Sequence, residues 1–203
     1  MSERLLLATR NPGKLVELQR LLGVAVAGVR VIGLADVETY PEAPETGATF
    51  VENALLKARE AVRHTGLPAV ADDSGIAVDA LNGMPGVLSA RWAGRHGDDA
   101  ANTELLLAQL ADVPDGRRGA AFVCAAAFVT PDGVERVVER EWRGRVVREE
   151  RGTNGFGYDP VFVATGLELT SAELSAARKD ELSHRARAFA ALVPEVAEVL
   201  GAR

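Results

Sequence analysis

Short apolar runs alternate with amphipathic stretches along this chain, and that alternation points to an α/β fold. Leu5 to Ala8 reads as a short buried strand and Val29 to Leu34 as a second. Between them Asn11-Pro12 has the chemistry of a helix start, with Asn as N-cap and Pro at the first helical position. Leu15, Leu18, Leu21 and Leu22 supply that helix with an apolar stripe. Residues 36 to 48 are polar and rich in Pro, Glu and Thr, so they read as a loop. The spacing predicts a long helix from Thr49 to His64, closed by Gly66. Ala69 to Ala71 and Ile76 to Leu81 read as two strands flanking Asp72-Asp73-Ser74-Gly75. Asn82 to Gly97 reads as irregular, and Asp98 or Asp99 can cap the next helix. Ala120 to Thr130 is almost wholly apolar, Pro131-Asp132-Gly133 is a turn signal, and Val134 to Val147 reads as the returning strand. A Gly-rich loop from Arg151 to Pro160 precedes a short strand near Val161 to Ala164. Ser171 to Glu181 reads as a short helix, and Ser183 can cap a final helix that Pro194 should kink or split.

Composition narrows the class. The 203 residues are ample for a real core. The single cysteine, Cys124, excludes a disulfide framework and a Cys-based zinc site within one chain. His64, His96 and His184 are too scattered for a His-rich metal site. Nothing approaches the ~18 consecutive apolar residues that span a bilayer, and the start of the chain does not read as a signal peptide. The expectation is a cytoplasmic protein with no membrane partner. A net charge of -6 argues against bulk nucleic-acid binding, which needs a basic surface. It leaves room for a small anionic ligand, because local charge decides that.

Five segments carry side chains suited to such a ligand. In Ala8-Thr9-Arg10-Asn11-Pro12-Gly13-Lys14 a strand runs into a helix whose first turn offers free N–H groups, a place that binds phosphate. It is not a P-loop, because Ala8 and Leu15 stand where that motif needs Gly and Ser or Thr. A capped helix with a solvated lysine fits equally well. Around Glu45, helical projection puts Phe50, Ala54, Ala58 and Ala61 on one face with Lys57 at its border. A lysine so placed ordinarily snorkels to solvent. Asp72-Asp73-Ser74-Gly75 ends an apolar strand with two acids, which suits Mg2+ or a general base, or else an Asx-type turn. Gly152 to Pro160 sets three glycines around Phe156 and Tyr158, so it can lay backbone donors and a ring against a flat heterocycle, or tuck one aromatic into the core. Lys179 and Ser183-His184-Arg185 gather two cations and a histidine before and at the start of the last helix.

Together these segments resemble the inosine/xanthosine triphosphate pyrophosphatase family. The matching stretches are LATRNPGK, ETGATFVENALLKA, ADDSGIAVDALNGMPGVLSARWAG, GTNGFGYDPVF and SHRARAF, in the family's order. The resemblance implies one ITPase-like domain of two lobes over residues 1–203: a long mixed central β-sheet flanked by helices, with an active-site cleft between the lobes. It implies a homodimer that hydrolyses non-standard purine nucleoside triphosphates (ITP, dITP, XTP) to the monophosphate and pyrophosphate, with Mg2+ as cofactor.

Residue by residue, the resemblance implies that Thr9, Arg10, Asn11, Pro12, Gly13 and Lys14 hold the triphosphate. Lys57 would also face the phosphates, against the snorkelling expectation. Glu45 and Asp73 would hold Mg2+, with Asp73 as catalytic proton acceptor and Asp72 as helper. Ser74 would touch the substrate. Phe156 would stack on the purine, with Gly157, Tyr158 and Asp159 completing that wall, and Lys179, His184 and Arg185 would read the base at its 6-oxo group. Two other activities fit parts of the pattern: a Maf-like pyrophosphatase for modified pyrimidine or methylated nucleotides, and a nucleotide sensor without turnover.

Overall fold

In the computed structural model the described residues are 3–9, 29–41 and 44–201. The helix expected after Asn11-Pro12, and with it Arg10, Asn11, Pro12, Gly13 and Lys14, lies outside them. The elements are β1 Glu3–Leu7, β2 Val29–Gly33, α1 Phe50–Thr65, β3 Ala69–Val78, α2 Asp99–Gln109, β4 Gly119–Val129, β5 Glu135–Val146, β6 Phe162–Ala164, α3 Ala176–Leu182 and α4 His184–Gly201. The six strands form one sheet in the order β2-β1-β3-β4-β5-β6. β1 is parallel to β2 and β3, whereas β5 and β6 are antiparallel, so the sheet is mixed.

The chain divides into two compact units. The first holds residues 1–73, 124–140 and 185–203, the second 74–123 and 141–184. β3, β4 and β5 each give residues to both.

In the first unit the two-residue period of a strand sorts the core into two layers. Leu5, Leu7 and Val70 join Cys124, Ala126 and Phe128 of β4 in packing against Ala188, Phe189, Leu192, Val196 and Leu200 of α4. Leu6, Ile32 and Ala69 pack the other way, against Ala61 of α1. Cys124 forms no disulfide and is fully buried in the middle of β4. The second unit has its own core, in which Ile76, Phe122, Trp142 and Phe162 from four strands meet Leu106 and Leu110 of α2.

Most expected elements form, with bounds shifted by a residue or two. Three expectations need correcting. Asp72-Asp73-Ser74-Gly75 does not separate two strands: β3 runs unbroken through it. Asp and Gly are poor strand formers, yet both carboxylates are engaged by cations, Asp72 by Arg185 and Asp73 by Lys57. The short helix begins at Ala176, not Ser171, with Ser175 as N-cap accepting from the Arg178 N–H. α4 runs through Pro194 without splitting, while Ser183 stands where the cap was expected, directly before α4, and also ends the short helix.

Candidate active site

The first cluster is built on α1 and β3. The start of α1 is fixed by a capping box: the Thr49 hydroxyl accepts from the Glu52 N–H, and the Glu52 carboxylate accepts from the Thr49 and Ala48 N–H groups. Gly66 ends the helix in the left-handed conformation, at φ 66°. Phe50, Ala54, Ala58 and Ala61 are buried as their spacing predicts. On the same side, one turn apart, stand Asn53 and Lys57. Lys57 does not snorkel. Its side chain is 16% exposed, and its Nζ lies 2.5 Å from Glu45 Oε1 and 2.6 Å from Asp73 Oδ1. Burial alone would lower the Lys57 pKa, but the Asp73 and Glu45 carboxylates outweigh it and hold the ammonium above its ordinary value.

Strand alternation also separates the two adjacent acids. Val70 packs toward α4, and Asp72, two residues on, meets Arg185 of α4, Nε to Oδ2 3.5 Å, with both side chains almost fully buried. Ala69 packs toward α1, and Asp73, four residues on, meets Lys57 and Asn53 of α1. The acids therefore have different partners and face different helices.

Glu45 and Asp73 converge on one cationic atom, with oxygen as the only donor type. This fits Mg2+, which takes one or two carboxylates together with water and substrate oxygens. Among the described residues no three His, Cys, Asp or Glu side chains gather into a group that could hold a metal ion.

The second cluster lies in the second unit, on the loop before β6. Asp159 is 2% exposed, and its Oδ2 accepts from the Phe156 N–H at 2.9 Å and pairs with Lys179 Nζ at 2.5 Å. The same ammonium lies 5.0 Å from the centre of the Phe156 ring. Phe156 is 39% exposed, unusual for a large apolar ring. Tyr158 instead enters the core, and its hydroxyl donates to the Ser89 carbonyl at 2.8 Å. Burial, with the nearby Asp99 charge, raises its pKa above the ordinary value. Gly157 donates its N–H to Asp99 at 2.7 Å. His184 is buried, its ring stacked on Phe122 with centroids 5.0 Å apart. Thr9 and Ser74 are half-buried.

Gly155 holds this loop together. Its φ is +81°, and a Cβ there would strike the Asp159 carboxylate and come within 3.1 Å of Lys179 Nζ. Gly155→Ala is expected to destabilise the protein by about 1–3 kcal/mol, read as a lower midpoint in urea unfolding. An unchanged midpoint would contradict the crowding described.

Sequence reasoning missed Asn53, Ser89 and the bond from Gly157 to Asp99, while the cap of α2 is Asp98, accepting from the Ala101 N–H. Asn53 had a signal: a polar residue on the apolar side of an amphipathic helix, one turn before Lys57. Ser89 and Asp99 had none, because each acts on a segment distant in sequence.

The Ham1 family profile matches residues 5–195. A dITP/XTP pyrophosphatase of Mycobacteroides abscessus is 64% identical over 192 residues, covering 94% of this chain and 93% of that protein. One from Nocardia farcinica is 63% identical over 195 residues, covering 96% and 95%. The structure of a HAM1 protein from Coxiella burnetii superposes with a TM-score of 0.87 at 40% identity, covering 97% of this chain and 99% of that one.

Proposed function

The chain belongs to the Ham1 family, and we propose that it hydrolyses non-standard purine nucleoside triphosphates (ITP, dITP and XTP) to the monophosphate and pyrophosphate. The observation that carries this is the convergence of Glu45 and Asp73 on the Lys57 ammonium. Three charges at one point, two of them negative, suit a metal-assisted attack on a polyanion better than simple retention of a nucleotide.

In this reading Glu45 and Asp73 hold Mg2+, which when bound would neutralise phosphate charge and make a water more acidic. Lys57 sets a permanent positive charge against the triphosphate. Thr9, Arg10, Asn11, Pro12, Gly13 and Lys14 bind the phosphate oxygens, and Ser74 adds a hydroxyl. Asp73 takes the proton of a water as its oxygen bonds to the α-phosphorus. The α–β bridging P–O bond breaks, and the electron pair leaves with pyrophosphate.

Base selection falls to the second cluster. Phe156 stacks on the purine while Asp159 holds Lys179 close to the Phe156 ring. Lys179, His184 and Arg185 donate to the 6-oxo group, with Arg185 Nε also facing Asp72. Adenine places a 6-amino donor where an acceptor is required, which leaves polar groups mispaired. ITP is therefore expected to exceed ATP in kcat/KM by at least about 10^3-fold.

The test is pyrophosphate release from ITP, XTP, dITP, ATP, dUTP and methylated triphosphates, with and without Mg2+. Release from the 6-oxo purines that needs Mg2+ is the expected result. Preference for dUTP or methylated substrates would favour a Maf-like activity, and ITP binding without release would favour a sensor. The proposal includes a homodimer, checked by light scattering, working among the nucleotides of the cytoplasm. No helix among the described residues is long and apolar enough to cross a membrane.

A further inference from the structure

We propose that Asn53 is a positioning residue for Asp73, fixing the plane of its carboxylate and tying it to the loop that carries Glu45. The inference rests on the pyrophosphohydrolase reading above and gives a role to a side chain that touches neither substrate nor metal in that reading.

Asn53 is fully buried in α1. A carboxamide so placed is costly unless both its ends are bonded, and both are. Nδ2 donates to Asp73 Oδ2 at 3.2 Å, and Oδ1 accepts from the Gly47 N–H at 2.8 Å. Lys57, one turn on, holds the other oxygen of the same carboxylate, Oδ1. Asp73 is thus gripped at both oxygens by two side chains of one helix. A carboxylate held at a single oxygen could rotate about its terminal torsion; held at two, it keeps one plane. Because the capping box fixes where α1 begins, it also fixes where both grips fall.

The second bond of Asn53 extends this to Glu45. Gly47 lies two residues after Glu45. A Cβ at Gly47 would lie 2.7 Å from Asn53 Oδ1 and 2.7 Å from Glu52 Cβ, so only glycine lets the loop approach the amide so closely. One carboxamide therefore ties the loop that carries Glu45 to the Asp73 carboxylate. Were Asn53 needed only to satisfy the Gly47 N–H, its loss would lower stability and leave turnover per folded molecule unchanged.

The test is steady-state hydrolysis of ITP with Mg2+ by the wild type and by Asn53→Ala, together with hydrogen exchange at the Gly47 amide. Asn53→Ala is expected to lower kcat about 10- to 100-fold while KM moves less than about 3-fold. The Gly47 amide should exchange faster. A folded Asn53→Ala protein with wild-type kcat, or one whose loss lies entirely in KM, overturns the inference while leaving the proposed function intact. A wild-type protein that releases no pyrophosphate overturns both. If Asn53→Ala does not fold, Gly47→Ala decides the matter. It keeps Asn53 but pushes its Oδ1 aside, so kcat should fall with little change in KM, and an unchanged kcat overturns the inference.

Discussion

Asp73→Asn is expected to lower kcat for ITP by about 10^2- to 10^4-fold, the range spanned by a single well-placed general base. The substitution alters few atoms. A carboxamide fills the same volume, and its oxygen can still accept from either Lys57 Nζ or Asn53 Nδ2, the donors that hold Asp73 now. It cannot take a proton from water. The fold should therefore persist, with a melting temperature within a few degrees of the wild type, while pyrophosphate release falls by that factor. Measuring both on one preparation separates chemistry from unfolding. Full Mg2+-dependent release by the folded variant would show that Asp73 is not the proton acceptor. Asp72→Asn would then be the informative comparison, although Asp72 faces α4 and pairs with Arg185.

Lys57→Met should damage both activity and stability. Methionine keeps the length and packing of the lysine stem, so the change isolates the charge. Without the ammonium, Glu45 and Asp73 keep their focus on one point with nothing positive between them. Removing one partner of a buried ion pair is strongly destabilising. Glu45 remains 22% exposed, so partial solvation should limit the cost to roughly 3 kcal/mol. For a chain of this size that corresponds to a drop of about 6–12 °C in melting temperature. kcat/KM for ITP should fall at least about 10^2-fold, because the charge proposed to face the phosphates is also lost. The pH dependence follows from the direction of the pKa shift. The folded-state value lies above the ordinary 10.5, so the lysine's contribution is fully present below that pH. It is lost only as pH rises through the higher folded-state value. The stability gap between wild type and Lys57→Met should therefore stay constant as pH rises from about 8 to 9. A gap that closes within that window would mean the ammonium is not held as described.

These two residues also show how much of the molecule was legible in its sequence. The bounds of α1 were readable because they are set locally: Thr49 with Glu52 at one end, Gly66 at the other. The direction of Lys57 was not readable from helical projection, which leaves it at the border of the apolar face. Its ion partners decide the matter, and they come from residues 45 and 73. The unbroken course of β3 was hidden for a related reason. Asp72-Asp73-Ser74-Gly75 has the composition of a turn, and the cations that engage its two carboxylates, Lys57 and Arg185, come from residues distant in sequence. The same alternation that buries Val70 and Ala69 on opposite sides assigns the two acids to different helices, once the strand is known to be continuous. Asn53 was passed over because a lone amide on a helix says nothing until both its bonds are seen. Residues 10–14 remain a sequence-based assignment.

Cys124 gives the molecule a clock. It is the only thiol in the chain and is wholly shielded in the middle of β4, so a thiol-reactive dye can attack it only in molecules that have opened around that strand. With dye in excess, the labelling rate counts openings; with dye limiting, it reports the fraction open at any moment. The sulfur lies in the core that packs β1, β3 and β4 against α4, so its chemistry times the loosening of that core. A nucleotide that clamps the core shut would slow the clock without having to be turned over.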